Sequence, residues 1–185
     1  MAIKDMPRVA CLQWAGFLSL PIPAEVRAGA ARDIKISSEG ISELPAPLNK
    51  ASCWVYCNQA WPHVDPDFEG YVFITLAVRA DHRYAQLLPN HKHSESGVFQ
   101  GSLFTTDPMS LHWLAPNGEG GAEFIGLQFE VPYLEVDAFY DALLTQLEAL
   151  GPVREHKAGL ADALLTATGE WVHKPPGPLA ATQSE

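Results

Sequence analysis

"YVFITLAVRADHRYAQLLPNHKHSESGVFQGSLFTTDPMSLHWLAPNGEGGAEFIGLQFEV" (Tyr71–Val131) is the stretch on which the fold of this chain turns. Its opening, Tyr71 to Val78, is an unbroken run of apolar, β-branched and aromatic residues with one threonine. A run of this kind predicts a strand buried on both faces. "DHRYAQLLPN" reads as a second strand behind a turn, and "HKHSESG" as a polar loop. "VFQGSLFTT" predicts one strand, stopped by "DPMS", whose Asp-Pro pair has turn chemistry. "LHWLA" is a short strand, "PNGEGG" a turn and "AEFIGLQFEV" a further strand. Short strands separated by turn signals predict a sandwich or barrel of the jelly-roll kind.

Just upstream, "ASCWVYCNQ" is another β-favouring run. "PAEVRAGAARDI" (Pro23–Ile34) predicts a short helix, with proline near its first turn and alanine-rich content. "ISSEGISELPAPLNK" has the Ser, Gly and Pro of a loop. The first residues resemble a signal peptide in their basic start and apolar run. Asp5, Gln13 and Trp14 interrupt that pattern, so an N-terminal strand or helix of the domain is expected. Downstream, Val136, Phe139, Tyr140, Leu143, Leu144, Leu147 and Leu150 have the spacing of one helix face. Gly151 and Pro152 end that helix. A weaker helix is expected from about Lys157 to Thr168. The fold class is therefore mainly β with flanking helices, including C-terminal ones. The expected organisation is a single domain over residues 1–173 and a flexible, Pro-rich tail over 174–185.

The chain has 185 residues, 47% hydrophobic and 18% charged, which fits one globular domain. Its 15 prolines and 14 glycines favour turns and strands over a helical bundle. A net charge of −10 without any Lys/Arg cluster excludes a nucleic-acid binder, whose affinity comes from neutralising phosphates. No apolar run approaches the ~20 residues that cross a bilayer, so no membrane partner is expected. Cys11, Cys53 and Cys57 leave one thiol over, and the spacing of the last two matches neither a redox pair nor a zinc knuckle. Reduced thiols and a cytoplasmic location are therefore expected. The oligomeric state is left open.

The chemistry concentrates in "NQAWPHVDPDFEG" (Asn58–Gly70). His63 and Asp65 are i and i+2, so in an extended chain they point to the same side. Both can reach one metal ion. His112, after one strand and before a turn, is the best candidate for a third ligand. Two imidazoles and one carboxylate on one face of an octahedron leave three positions open, the pattern of non-haem Fe(II) oxygenases.

"NQAWPHVD" and "GSLFTTDPMSLHWLAPN" together resemble the Fe(II)/2-oxoglutarate-dependent oxygenases, prolyl-hydroxylase-like members built on a double-stranded β-helix (a cupin-like jelly roll). The resemblance covers about residues 52–131. It implies Fe(II) held by His63, Asp65 and His112, and 2-oxoglutarate as co-substrate. It also implies hydroxylation of a small molecule or peptide side chain. In that family an Arg on the strand after the distal His holds the far carboxylate of 2-oxoglutarate. Here no Lys or Arg lies between His112 and Arg154, and Glu123 stands in that stretch. Some members use a basic residue on the strand after the H-x-D instead. Arg79 is then the first choice of anchor and Arg83 the second. Tyr56 and Asn58, on the strand feeding the site, are further candidates for binding the co-substrate.

Bland readings stand beside these. His63 and Asp65 can be a loop hydrogen-bond pair, His112 a satisfied core histidine, and Arg79 a solvated strand end. Trp61 and Trp113 flank the ligands and are expected in the core. His91, His93 and Glu95 imitate a cupin metal motif at the wrong spacing, so a surface loop is expected there. The competing function is a non-catalytic cupin-like binding or assembly module that has lost co-substrate binding. The missing Arg supports it.

Overall fold

The computed structural model describes residues 7–27, 33–89, 92–118, 123–157, 159–161, 164–165 and 171–172. The chain forms β1 (Arg8–Leu12), a short helix α1 (Ala24–Arg27), β2 (Lys35–Ser37), β3 (Cys53–Cys57), β4 (Ala60–His63), β5 (Tyr71–Arg79) and β6 (Asp81–Leu87). It continues with β7 (His93–Phe99), β8 (Ser102–Thr106), β9 (His112–Pro116), β10 (Phe124–Pro132), α2 (Val136–Glu148), β11 (Val153–Lys157), β12 (Gly159–Ala161), β13 (Leu164–Leu165) and β14 (Trp171–Val172). Two antiparallel sheets dominate. The larger has seven strands in the order β11-β1-β8-β5-β10-β3-β2, and the smaller has five in the order β12-β7-β6-β9-β4. From β3 to β10 the chain passes repeatedly between the two sheets, with β6 and β7 as the one pair that stays in the smaller.

β5 sits at the centre of the larger sheet, between β8 and β10, and is buried from Val72 to Val78. Its side chains alternate across the sheet. Val72, Ile74, Leu76 and Val78 enter one apolar core with Ile125, Leu127, Phe129 and Val131 of β10. Phe73, Thr75 and Ala77 face the other way, Phe73 and Thr75 toward the smaller sheet and a cavity. The outer core is closed by Tyr140, Leu143 and Leu147 of α2 and by Leu12, Phe17, Leu20, Leu44 and Leu48 from the N-terminal quarter. That quarter, hard to read in the sequence, is thus largely a lid over the sheet. Each large apolar side chain buried there contributes about 1.5–3 kcal/mol relative to exposure.

α2 begins without a side-chain cap, but Asp137 lies in its first turn, where the helix dipole favours an anion. Gly151 ends the segment where the backbone of Gln13 approaches so closely that a Cβ would collide with the Gln13 carbonyl. Pro152 accepts a hydrogen bond from Gln13 N at 2.9 Å. The helix expected from Val136 onward is therefore present, over Val136–Glu148.

Three expectations are corrected. "HKHSESG" is not a loop: His93 opens β7, which pairs with β6 along its whole length. "VFQGSLFTT" is not one strand. It splits at Gly101, whose φ of 90° is reserved for glycine and whose carbonyl accepts from Leu12 N at 2.7 Å. The helix expected from Lys157 to Thr168 is replaced, at its described residues, by strands: β11 and β12 add to the sheet edges and β13 pairs with β14. Edge pairing with β1 and β7 outweighs the local helical pattern there. Among the described residues the C-terminal region thus has one helix, not several. The Pro23–Ile34 helix is seen only over Ala24–Arg27, and residues 28–32 fall outside the described set, as does the tail from 174.

Candidate metal centre

β4 and β9 are neighbours in the smaller sheet, and their register puts His63 opposite His112. The two rings lie 4.3 Å apart, centroid to centroid. Asp65 comes after β4 in a loop whose backbone is tied across to the other ligand-bearing segment, Asp65 N donating to the Pro108 carbonyl at 2.8 Å. Asp65 Oδ2 lies 3.4 Å from His112 Nε2 and 3.8 Å from His63 Nε2. The three ligand atoms fall within 4.8 Å of one another. Donors bound at ~2.1 Å to a single ion sit about 3.0–3.4 Å apart, so a small inward shift closes the set.

The ring orientations have a local cause. His63 Nδ1 donates to the carbonyl of Trp61 at 2.6 Å, and His112 Nδ1 donates to the carbonyl of Ser110 at 2.9 Å. In both cases the acceptor lies two residues upstream. A proton held on Nδ1 leaves the Nε2 lone pair free, and both Nε2 atoms face Asp65. Ser110 is itself positioned by the "DPMS" turn. Asp107 Oδ1 accepts from Met109 N at 3.0 Å, and Asp107 Oδ2 accepts from the Ser110 hydroxyl at 3.0 Å. The Asp-Pro turn chemistry thus orients the distal histidine. Burial opposes ionisation of Asp65. When the two imidazoles also carry a proton on Nε2, the hydrogen bond from His112 and the charges of His112 and His63 outweigh it and hold the carboxyl below the usual carboxylate range.

The three candidate ligands stand on the wall of a cavity of about 350 Å³ between the sheets. Much of its lining is apolar and aromatic: Phe104, Phe124, Leu114, Val55 and Cys57. The rings of Tyr84 and Phe104 lie 4.7 Å apart, centroid to centroid, tilted by 39°. Thr75, Thr106, Gln128 and Glu130 add polar groups, and Ile34 and Ile36 line the opening. Period-two alternation puts Phe124, Gln128 and Glu130 of β10 on one face. That pattern was present in "FIGLQFE" and is the signal that would have found them.

The residues expected to bind a co-substrate lie elsewhere. Arg79 is half-exposed and pairs with Glu123, the acidic residue expected to disfavour a carboxylate. Arg83 points away from the cavity, on the face of β6 opposite Tyr84, with Glu95 3.8 Å from its guanidinium. Tyr56 is packed in the outer core with Trp54. Asn58 offers its carbonyl to His82 Nε2 at 2.8 Å. None of the four lines the cavity. Trp113 is buried as expected and lines the cavity, but Trp61 is 70% exposed, not core. His93 is buried rather than in a surface loop, 3.2 Å from Glu95 and 5.3 Å from the Trp113 ring. His91 is outside the described residues.

Among the described residues, no helix is long and apolar enough to cross a membrane. Comparison with protein-family models, curated proteins and solved structures gives no match to this chain.

Proposed function

We propose that the protein is a mononuclear non-haem Fe(II) oxygenase acting on a small molecule or peptide side chain. The observation that carries this reading is the convergence of His63 Nε2, His112 Nε2 and Asp65 Oδ2 at the wall of a largely apolar cavity. Two imidazoles and one carboxylate are the donor set of such centres, and they leave positions for oxygen and a second ligand. The alternation of β3 to β10 between two antiparallel sheets supports a double-stranded β-helix, or jelly roll.

When bound, Fe(II) would supply oxygen activation. The chain's own residues do the rest. The Trp61 and Ser110 carbonyls fix the imidazoles, and Asp65 stays ionised to offset the metal's charge. Phe73, Phe104 and Phe124 keep water from the reacting region. 2-Oxoglutarate is the co-substrate that the resemblance implies. Its distal carboxylate does not fit this lining, because neither Lys nor Arg contributes to it among the described residues. His82 does not fill that role. Burial lowers its pKa, its Nε2 donates to Asn58, and its Nδ1 accepts from Asp81 N at 3.2 Å. The absent cation is the observation that favours the second reading, a non-catalytic barrel module.

The test is anaerobic loading with Fe(II). The oxygenase reading expects about one iron per chain, and nitric oxide should bind it as a surrogate for oxygen. Asp65→Ala and His112→Ala should take up little iron. A wild-type chain that holds no iron would leave the module reading.

A further inference from the structure

Resting on the metal-centre reading above, we infer that the cavity accepts a 2-oxo acid with an uncharged hydrocarbon side chain and disfavours 2-oxoglutarate. Charge counting leads there. A divalent ion, the Asp65 carboxylate and the single carboxylate of a 2-oxo acid sum to zero. A second carboxylate adds an uncompensated negative charge to a low-dielectric space, where an unpaired charge is costly. The lining supplies hydroxyls from Thr75, Thr106 and Tyr84 and the amide of Gln128 but, among the described residues, no Lys or Arg. Its other carboxylate besides Asp65 is Glu130, which repels an anion.

What the cavity offers instead is apolar surface. On β10, the strand after His112, the inward position nearest its start is Phe124. Phe124 is 3% exposed and packs with Phe104, Leu114, Tyr84 and Cys57 in one cluster. A hydrocarbon chain seated on this wall meets the rings of Phe104 and Phe124 and the methyl groups of Leu114. The volume of about 350 Å³ suits a ligand of that size.

The probes are pyruvate, 2-oxobutanoate, 2-oxopentanoate, 4-methyl-2-oxopentanoate and 2-oxoglutarate. Each is titrated without oxygen into the Fe(II)-loaded full chain, monitoring the visible charge-transfer band of an iron-chelated 2-oxo acid. Affinity should rise about fourfold for each added methylene, from the transfer value for a buried CH₂. 4-Methyl-2-oxopentanoate should bind at least tenfold more tightly than 2-oxoglutarate. Phe124→Arg should reverse that order, and the wild-type homologous series tests the inference even where this variant fails to fold. Flat affinity along the series, or 2-oxoglutarate as the tightest probe, would overturn the inference. So would an iron-loaded chain that binds none of the probes, although the metal centre itself would then stand. Failure to take up iron would remove the metal reading and this inference together.

Discussion

The two faces of the larger sheet are built from the same strands and end differently. On the outer face, Ile74, Leu76, Leu127 and Phe129 are met by α2 and by the N-terminal quarter, and the contact is filled. On the inner face, Phe73, Thr75, Phe104 and Phe124 are met by a smaller sheet that leaves a cavity. The strands are alike in composition. What differs is the partner: the helix and loops cover the outer face, whereas the smaller sheet leaves a cavity on the inner one. The outer face therefore carries most of the buried apolar core, and the inner face carries the cavity.

The largest expected effect comes from stripping the outer face. Truncation after Val131 removes α2 and uncovers the core beneath Tyr140, Leu143 and Leu147. The product should aggregate rather than fold, as gel filtration and circular dichroism would show. A soluble, folded truncation would make the helix dispensable and undo the contrast.

Point substitutions test the contrast more finely. Phe129→Ala, on the filled face, should cost about 3–5 kcal/mol in denaturant unfolding. Phe104→Ala, beside an existing hollow, should cost less, about 1–2 kcal/mol, because the deleted ring already lacks some of its neighbours. Equal losses would mean that the inner face is as tightly packed as the outer.

The ligands should behave as binding rather than structural groups. His112→Ala should change the stability of the metal-free chain by about 1 kcal/mol or less, the value of one local hydrogen bond. Metal at a hundredfold excess over its dissociation constant should stabilise wild type by about 2.7 kcal/mol and the variant hardly at all. Thermal melts with and without Fe(II) or Co(II) separate the two cases. A variant that melts far below wild type without metal would instead make His112 a core residue.

The smallest effect is read in thiol chemistry. Burial pushes the Cys57 thiol up to about 12. Burial, and then the charge of Glu130, pushes Cys53 up to about 11. Thiolate forms only as pH rises through these values, and the thiolate is the nucleophile. At pH 8 iodoacetamide should modify the more accessible Cys11 well before the other two, with Cys57 slowest. Peptide mapping by mass spectrometry after timed alkylation gives the order. Rapid labelling of Cys57 would show that the inner face opens readily.

The sequence announced some of this and concealed the rest, for physical reasons. β5 was legible because a strand buried on both faces has few polar letters. The pairing of His63 with Asp65 was legible because a two-residue spacing in extended chain shares a side, and His112 was picked out by its place after a strand and before a turn; the part that the "DPMS" turn plays in orienting it shows only in the hydrogen bonds of Asp107. β7 was hidden: it buries His93, Ser94 and Ser96, polar residues that look like loop. β11 and β12 were hidden because sheet edges recruited them, and no local window contains the edge. Arg79 looked available because Glu123, its partner, is distant in sequence. Only the β5–β10 register, with Arg79 opposite Ile125, brings the two together.

Both histidines take their orientation from carbonyls, and Asp65 hangs from the carbonyl of Pro108. Carbonyls are supplied by every residue type. The letter at 61 can therefore change widely while the direction of His63 persists, whereas His112 also depends on the turn that Asp107 and Ser110 hold together. A centre specified in this way carries little information outside its three ligands. Related sites would be traced by the angles of main chain around a strand pair, with sequence identity falling away long before the geometry does.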